Sequence, residues 1–208
     1  NAKKAGSGIV NVVGEHARHH IAHNAPLTSD IQGVARPMSA WVKTSESAKS
    51  VAHDGAMAVH AARQAPGQIA TLILPADTAW EEGSGIDTTP YTGQRSAVAS
   101  DTVETVAQAL LRPLRTALLL RGMGVREPAL NWVGKIAART GCAVLSEYNT
   151  PRLQRGAGRV ITRRIPYAVD AAVALLKEFD QIILVGAKQP VAFFAYPDKP
   201  SLLTAPHA

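Results

Sequence analysis

Two hydrophobic patterns alternate along this chain. Short unbroken apolar runs are followed by stretches whose apolar positions recur every three or four residues, the signature of buried parallel strands joined by amphipathic helices. The first run is Ile9-Val10-Asn11-Val12-Val13, closed by Gly14, and a second strand is expected over Met38 to Val42. Between Glu46 and Arg63, Ala48, Val51, Ala52, Ala56, Val59 and Ala62 fall at helical spacing, and Pro66-Gly67 ends that helix. Ile69 to Leu74, bounded by Pro75, reads as a third strand.

From Glu82 to Ser100 the chain turns to Gly, Ser, Thr, Pro and Gln, as linkers do. Beyond it Asp101 is the expected N-cap of a helix through about Leu111, with Glu104 in the capping-box position. The alternation then resumes with strand Thr116 to Leu120, helix Pro128 to Arg139 stopped by Gly141, and strand Ala143 to Leu145. A Gly/Arg-rich loop precedes helix Val169 to Phe179 and strand Gln181 to Val185. The pattern predicts an α/β protein, parallel sheets flanked by helices, in two blocks. Three strands in the first block would leave an exposed sheet edge, so further structure is expected upstream.

Composition narrows the function classes. The 208 residues carry a formal net charge of +6, are 46% hydrophobic and contain one cysteine. A lone Cys142 closes no internal disulfide and builds no thiolate zinc cage, which favours a cytoplasmic setting. No apolar run approaches the roughly 20 residues needed to cross a bilayer, so no membrane is expected as a partner. Nucleic acid is not expected either: the basic residues are scattered, and aromatics are 5% of the chain.

The densest polar cluster, Gly14-Glu15-His16-Ala17-Arg18-His19-His20-Ile21-Ala22-His23, follows the first strand and holds four of the seven histidines. In open α/β sheets ligands bind beyond the carboxyl ends of strands, which places a candidate site here. If the stretch is helical, His16, His19 and His23 share a face that could hold zinc. A solvated histidine helix and general acid/base duty are the competing readings. Glu15 is either a buried acid that hydrogen-bonds a cofactor or a cap for the following turn, and Asp30 reads as a helix start.

In the second block Arg121-Gly122-Met123-Gly124 ends a strand with two glycines, a turn through which backbone approaches phosphate, although Glu127 stands where a third glycine would complete the dinucleotide fingerprint. The stretch Arg152 to Arg164, which includes Arg155 beside Gly156-Ala157-Gly158, is either a phosphate grip or a solvated basic loop. Trp41, Trp80 and Trp132 read as core or interface packing. No Gly-x-Ser-x-Gly elbow and no Walker loop occur, and Cys142 reads as an inert buried thiol.

Three stretches carry a family resemblance: Ile9 through Ala17 continuing over Ala25-Pro26-Leu27-Thr28-Ser29-Asp30-Ile31, then Ile69 through Asp77, and finally Val185-Gly186-Ala187-Lys188-Gln189-Pro190-Val191-Ala192-Phe193-Phe194-Ala195-Tyr196-Pro197. Across nearly the whole chain the sequence resembles thiamine diphosphate-dependent enzymes of the acetolactate synthase large-subunit type. The resemblance implies that residues 1–81 are the C-terminal part of a pyrimidine-binding domain, 82–100 a linker and 101–208 a Rossmann-like central α/β domain. It implies thiamine diphosphate and magnesium as cofactors of the intact protein, a small 2-oxo acid as substrate, and a homo-oligomer. The family's activating glutamate would lie upstream and its magnesium-binding Gly-Asp-Gly downstream. His53-Asp54-Gly55 falls in a helical pattern and does not replace the latter, so these residues alone are expected neither to catalyse nor to hold the cofactor.

Where the biosynthetic enzyme reads Gly-Thr-Asp-Ala-Phe-Gln-Glu, this chain reads Ala22-His23-Asn24-Ala25-Pro26-Leu27-Thr28, losing the Phe and Gln that approach the reaction centre. Glu15, from its place at the strand end, and His19 and His20, which the resemblance makes counterparts of an adjacent histidine pair in decarboxylating relatives, are the candidate catalytic residues. Gly122, Gly124, Arg155 and Lys188 are the candidate cofactor-binding residues, and FAD or ADP the candidate ligand of the central domain. Gly186-Ala187-Lys188 stands where the biosynthetic enzyme has Gly-x-Arg. Two function classes follow: a segment of a lyase or transferase acting on 2-oxo acids, or a non-catalytic nucleotide-binding or interaction module.

Overall fold

A computed structural model of the chain describes residues 1–88 and 97–205. The chain divides into two compact units, Asn1–Arg95 and Ser96–Ala208. Residues 89–96, within the expected linker, lie outside the described residues, and residues 82–88 carry no helix or strand. Among the described residues no helix is long and apolar enough to cross a membrane.

The first unit contains α1 (Ala2–Ala5), β1 (Ile9–Glu15), α2 (Arg18–Ile21), α3 (Ile31–Ala35), β2 (Trp41–Thr44), α4 (Ala48–Arg63) and β3 (Ile69–Pro75), the last followed by a 3-10 turn, Ala76–Ala79. The sheet is parallel, in the order β1-β3-β2, with Ile9 opposite Ile69, Glu15 opposite Pro75 and Lys43 opposite Leu72. The helix α4 lies on one face and presents Ala58, Ala61 and Ala62 to Ala70 and Leu72, with Trp41 and Leu74 packed around them. Alanines on both surfaces let helix and strand approach closely, so β3, flanked on both sides, is buried along almost its whole length. Ser47 caps α4 in a reciprocal pair with Ser50. At the opposite end of the sheet the chain crosses itself: Gly67, at φ +103°, lies so near Gly6 that a Cβ would sit 2.2 Å from the Gly6 carbonyl oxygen. As the strand count implies, β1 is an exposed edge, with Val12 64% accessible.

Two sequence expectations shift here. The second strand begins at Trp41, not Met38, because Pro37 to Ala40 turn onto the sheet and the Ala40 amide donates to the Ile69 carbonyl. Trp80 is not packed in the core of its unit but is 70% exposed, as is 66% of Trp132 in the second unit, where Lys135 stacks over its ring.

The second unit contains α5 (Ser100–Leu110), β4 (Thr116–Leu120), a 3-10 turn (Gly122–Val125), α6 (Glu127–Thr140), β5 (Ala143–Ser146), β6 (Arg163–Arg164), α7 (Val169–Leu176) and β7 (Gln181–Val185). The parallel sheet runs β6-β5-β4-β7. The strand β4 is buried at every position and its side chains serve two layers. Ala117 and Leu119 pack with Leu145 against Ala172, Leu175 and Leu176 of α7. Leu118 and Leu120 pack with Val144 against Leu130 and Val133 of α6. This two-sided burial is why β4 is a continuous apolar run. Gly141 ends α6 in the left-handed conformation, φ 74°.

Asp101 is not an N-cap. It lies inside the first turn of α5, where its carboxylate accepts the Thr102 amide, and Glu104 accepts from Gln108 one turn on rather than closing a capping box. The helix α7 stops at Leu176, short of Phe179, because the Glu178 and Phe179 amides tighten onto the Leu175 and Leu176 carbonyls. The Gly/Arg loop contains the short strand β6, which no pattern announces.

Candidate functional site

The carboxyl ends of β1 and β3 stand side by side, and each hands its chain to a turn that carries the polar groups. After β1, the His16 amide donates to Glu15 Oε1 at 2.7 Å, so the half-buried Glu15 folds over its own strand end. Ala17, 5% exposed, anchors the start of α2. The next residue ties the turn down. Arg18 donates its amide to Asp77 Oδ1 at 3.0 Å and its Nε to Asp77 Oδ2 at 2.5 Å. Its Nη1 donates to the Glu46 carbonyl, and its Nη2 reaches Glu81 Oε1 at 3.2 Å. Burial pushes the Asp77 carboxyl up, but the hydrogen bonds from the Arg18 backbone and guanidinium outweigh it and hold the group below the usual carboxylate range.

This clamp fixes α2, and with it the histidines. His16 and His20 meet edge to face at 5.4 Å between centroids, and His20 meets His23 at 5.8 Å. His19 points elsewhere, with its ring 6.5 Å from that of Trp80. The expected row of His16, His19 and His23 is therefore replaced by His16, His20 and His23, because the helix is only Arg18–Ile21 and His16 precedes it. Among the described residues no three His, Cys, Asp or Glu side chains gather as metal ligands, which removes the zinc alternative its geometric basis.

Between the strand ends lies a cavity of about 560 Å³, lined by Glu15, His16, His19 and His20 on one side and by Leu27, Ile31 and Trp80 on the others. Its size suits a small molecule. The buried Nε2 of His16 has no protein partner. Asp30 caps α3 by accepting the Gly33 amide at 2.8 Å, which sets Ile31 in the wall. Trp80 and the Arg18–Asp77 clamp are the parts of this site that sequence reasoning missed. Asp77, just past the end of β3, was the one available signal.

In the second unit the ends of β4, β5 and β7 converge on Glu147. Its Oε2 pairs with Arg121 Nε at 3.1 Å and its Oε1 accepts the Lys188 amide at 2.7 Å. Gly122 and Gly124 lie in the turn after β4. A Cβ on Gly122, at φ +58°, would meet nothing within 4 Å. The hydroxyl of Ser146, fully buried at the end of β5, has no partner. The first amide of α6, on Glu127, is already taken by Gln154 Oε1. Arg155 is exposed on the loop, apart from the glycine turn in the chain. Other arginines of the stretch serve the fold: Arg159 pairs with Glu127, Arg163 with Glu178, and Arg164 donates to the Tyr148 carbonyl.

No family model matches the chain. Among curated proteins, it is 39% identical over 201 residues to IlvX of Mycobacterium tuberculosis, whose name assigns it only provisionally as an acetolactate synthase large subunit. The match covers 97% of this chain and 38% of that protein, so the chain spans well under half the length of its relative. Among solved structures, a Mycobacterium smegmatis protein described as a thiamin diphosphate-dependent enzyme superposes with TM-score 0.75 at 18% identity, covering 99% of this chain and 40% of the other. The thiamine diphosphate-dependent 4-hydroxybenzoylformate decarboxylase of Rhodococcus jostii RHA1 gives TM-score 0.64 at 17% identity, covering 91% of this chain and 37% of the other. Benzoylformate decarboxylase of Polynucleobacter necessarius gives 0.66 at 20%, covering 100% and 39%. These likenesses show the fold.

Proposed function

From a chain related along nearly its whole length to the acetolactate synthase large-subunit-like branch of the thiamine diphosphate-dependent enzymes, we propose that it is a two-unit segment of a lyase or transferase acting on 2-oxo acids. Residues 1–81 would supply the C-terminal part of a pyrimidine-binding domain, 82–100 a linker and 101–208 the central domain of a cytoplasmic homo-oligomer. The observation that carries the reading is the 39% identity over 201 residues. The cavity at the ends of β1 and β3 gives it a place to act.

The residues present fit the reacting end of the cofactor and not its diphosphate end. The cavity offers an unpartnered imidazole nitrogen on His16, two further histidines and the Glu15 carboxylate, but no metal-holding cluster among the described residues. When bound, thiamine diphosphate supplies a nucleophilic carbon for the carbonyl of a 2-oxo acid. The chain's own part is to shape and protonate. His19 and His20 stand where they exchange a proton with a carbonyl or hydroxyl oxygen in the cavity, Glu15 holds the strand-end turn, and Leu27, Ile31 and Trp80 give the cavity an apolar wall. Magnesium and the activating glutamate come from elsewhere in the intact protein.

The test is direct. The purified chain, given thiamine diphosphate, magnesium and pyruvate, is expected to release no carbon dioxide above background; sustained turnover would overturn the reading. Benzoylformate is expected to quench Trp80 fluorescence and to lose that effect in His19→Ala/His20→Ala.

A second reading, a nucleotide-binding module, is favoured by the orphan Ser146 hydroxyl at the end of β5, the strand that pairs with β4 ahead of the open Gly122 turn. Gly122, Gly124, Arg155 and Lys188 would then face FAD or ADP. Calorimetric titration with each nucleotide decides it: micromolar binding supports the module, and silence at millimolar nucleotide removes it.

A further inference from the structure

Two walls of the first unit's cavity are carried by elements too short to hold their own shape. His19 stands on α2, a single turn of four residues, and Trp80 closes the 3-10 turn Ala76–Ala79. A lone turn fixes several backbone dihedrals for one hydrogen bond and is unstable without outside ties. Both side chains are exposed to water, yet their rings lie 6.5 Å apart between centroids. That spacing has to be set from elsewhere.

Arg18 supplies the ties. It belongs to the turn after β1, and its guanidinium reaches the segments that follow the other two strands: the Glu46 carbonyl after β2, and Asp77 and Glu81 after β3. One side chain therefore joins the carboxyl ends of all three strands of the sheet. Asp77 is the pivot. Its carboxylate accepts the Arg18 amide at 3.0 Å and Nε at 2.5 Å, on the side of the histidines. Its carbonyl accepts the Trp80 amide at 3.2 Å and the Glu81 amide at 3.3 Å, on the side of the indole. The Thr78 hydroxyl, donating to the Pro75 carbonyl at 2.7 Å, keeps the turn between them tight. A planar fork of five N–H donors serves three acceptors in three fixed directions. A lysine ammonium, a point charge on a flexible stem, fixes none of them.

We infer that Arg18 is the positioning residue of this cavity: through Asp77 and Glu81 it sets the spacing of His19 and Trp80, so that the imidazole wall and the indole wall move as one body. Arg18 is not among the residues that line the cavity, so it acts through those that do. Its value for function rests on the reading that a 2-oxo acid binds between these walls; the spacing itself does not. The arm to Glu81 lies at the surface, with the Arg18 and Glu81 side chains 39% and 52% exposed, and exposed ion pairs add little stability. What that arm contributes is geometry. A cavity whose walls are already spaced uses less of its binding free energy to order them.

Trp41→Phe/Trp132→Phe leaves Trp80 as the single indole of the whole chain, and fluorotryptophan incorporated there gives one fluorine resonance that reports the His19 ring beside it. In that background His19→Ala is expected to move the resonance. Arg18→Lys is expected to move it by at least half as much while the circular dichroism stays native, and to add little once His19 is already replaced, as coupled positions do. Glu81→Ala loosens the same strut at a surface position and leaves Asp77 in place, so it should move the resonance as well. Glu81→Gln still accepts from Nη2 and should leave it at the wild-type position. A resonance indifferent to His19→Ala, one that stays put in Arg18→Lys, or one that stays put in Glu81→Ala where Arg18→Lys does not fold, overturns the inference. So does an Arg18→Lys shift that adds in full to that of His19→Ala. With ordinary tryptophan in the same background, Arg18→Lys should weaken the benzoylformate quench of Trp80 by about 3- to 10-fold, the cost of ordering one large side chain on binding. A quench of undiminished affinity in Arg18→Lys overturns the inference. A wild type without any quench, but with the coupled fluorine shifts, refutes the 2-oxo acid reading and leaves the positioning role standing.

Discussion

Asp54 is the one fully buried carboxylate of the first unit's helix α4, and its stability depends on a partner that is half in water. Its Oδ1 lies 2.7 Å from Lys43 Nζ on β2 and its Oδ2 accepts the Ser45 hydroxyl at 2.9 Å; the Lys43 side chain is 44% exposed. Burial pushes the carboxyl up, and the Lys43 ammonium together with the Ser45 hydroxyl outweighs it, so it stays below the usual range. Breaking a buried ion pair by deleting one partner typically costs about 3–5 kcal/mol. Here the ammonium is partly screened and the Ser45 bond survives, so Lys43→Met is expected to destabilise the first unit by about 2–3 kcal/mol at pH 7. The neutral near-isostere Asp54→Asn should cost less, about 1–2 kcal/mol, because it leaves no unpaired buried charge while Lys43 turns to water.

The sign with pH separates this account from simple lost packing. In the wild type the depressed carboxyl contributes stability above its unfolded value, which is lost as pH falls through the lower folded value. In Lys43→Met burial prevails, the folded value rises above the unfolded one, and protonation relieves the variant as pH falls. The gap between the two proteins should therefore shrink steadily from pH 7 to pH 4. Urea unfolding in a Trp132→Phe background leaves Trp41 and Trp80 to report on the first unit. At a slope of about 1.5–2 kcal/mol/M the midpoint should drop by about 1–2 M at pH 7. A cost that is the same at pH 4 and pH 7, or an Asp54→Asn variant worse than Lys43→Met at pH 7, would refute the argument.

How much of this was legible in the sequence depended on how local each cause is. The strand β4 was readable to the residue because Thr116 to Leu120 is buried on both faces and needs no partner's register to be recognised. Gly141 marked the end of α6 because only a left-handed residue fits there. The placement of the histidine cluster at a strand end followed from the general geometry of open sheets. Its internal arrangement did not, because whether His16, His19 and His23 share a face depends on how far the helix runs, and Arg18 stops the turn from extending by tying it to Asp77, 59 residues away. Such a clamp leaves no periodic trace. The two-residue β6 was invisible for the same reason: Arg163 and Arg164 are exposed and polar, and they form a strand only because Leu145 and Ser146 lie alongside.

Two further predictions come from the second unit. Leu120→Ala, at a position with no solvent exposure in the layer beneath α6, should cost about 2–5 kcal/mol by calorimetry, and a loss under 1 kcal/mol would mean that layer is loosely packed. The last concerns Asp180, at the entrance of β7. Its carboxylate accepts the Arg115 amide at 3.0 Å and Arg115 Nη2 at 2.6 Å, and its own amide donates to the Arg115 carbonyl, so a single pair of residues ties the start of β7 to the start of β4. Hydrogen bonds from the Arg115 side chain, and then from its backbone, hold the Asp180 carboxyl at about 2. A carboxyl held below its unfolded value stabilises the fold above that unfolded value and loses its effect as pH falls through about 2. Asp180→Asn cannot titrate, so its stability should lie below the wild type's at pH 6, and the two curves should converge between about pH 4 and pH 2. Added salt should narrow the gap at pH 6 because both side chains are well exposed. Parallel curves across that interval would show that the Arg115 contact works through geometry alone, with no charge in it.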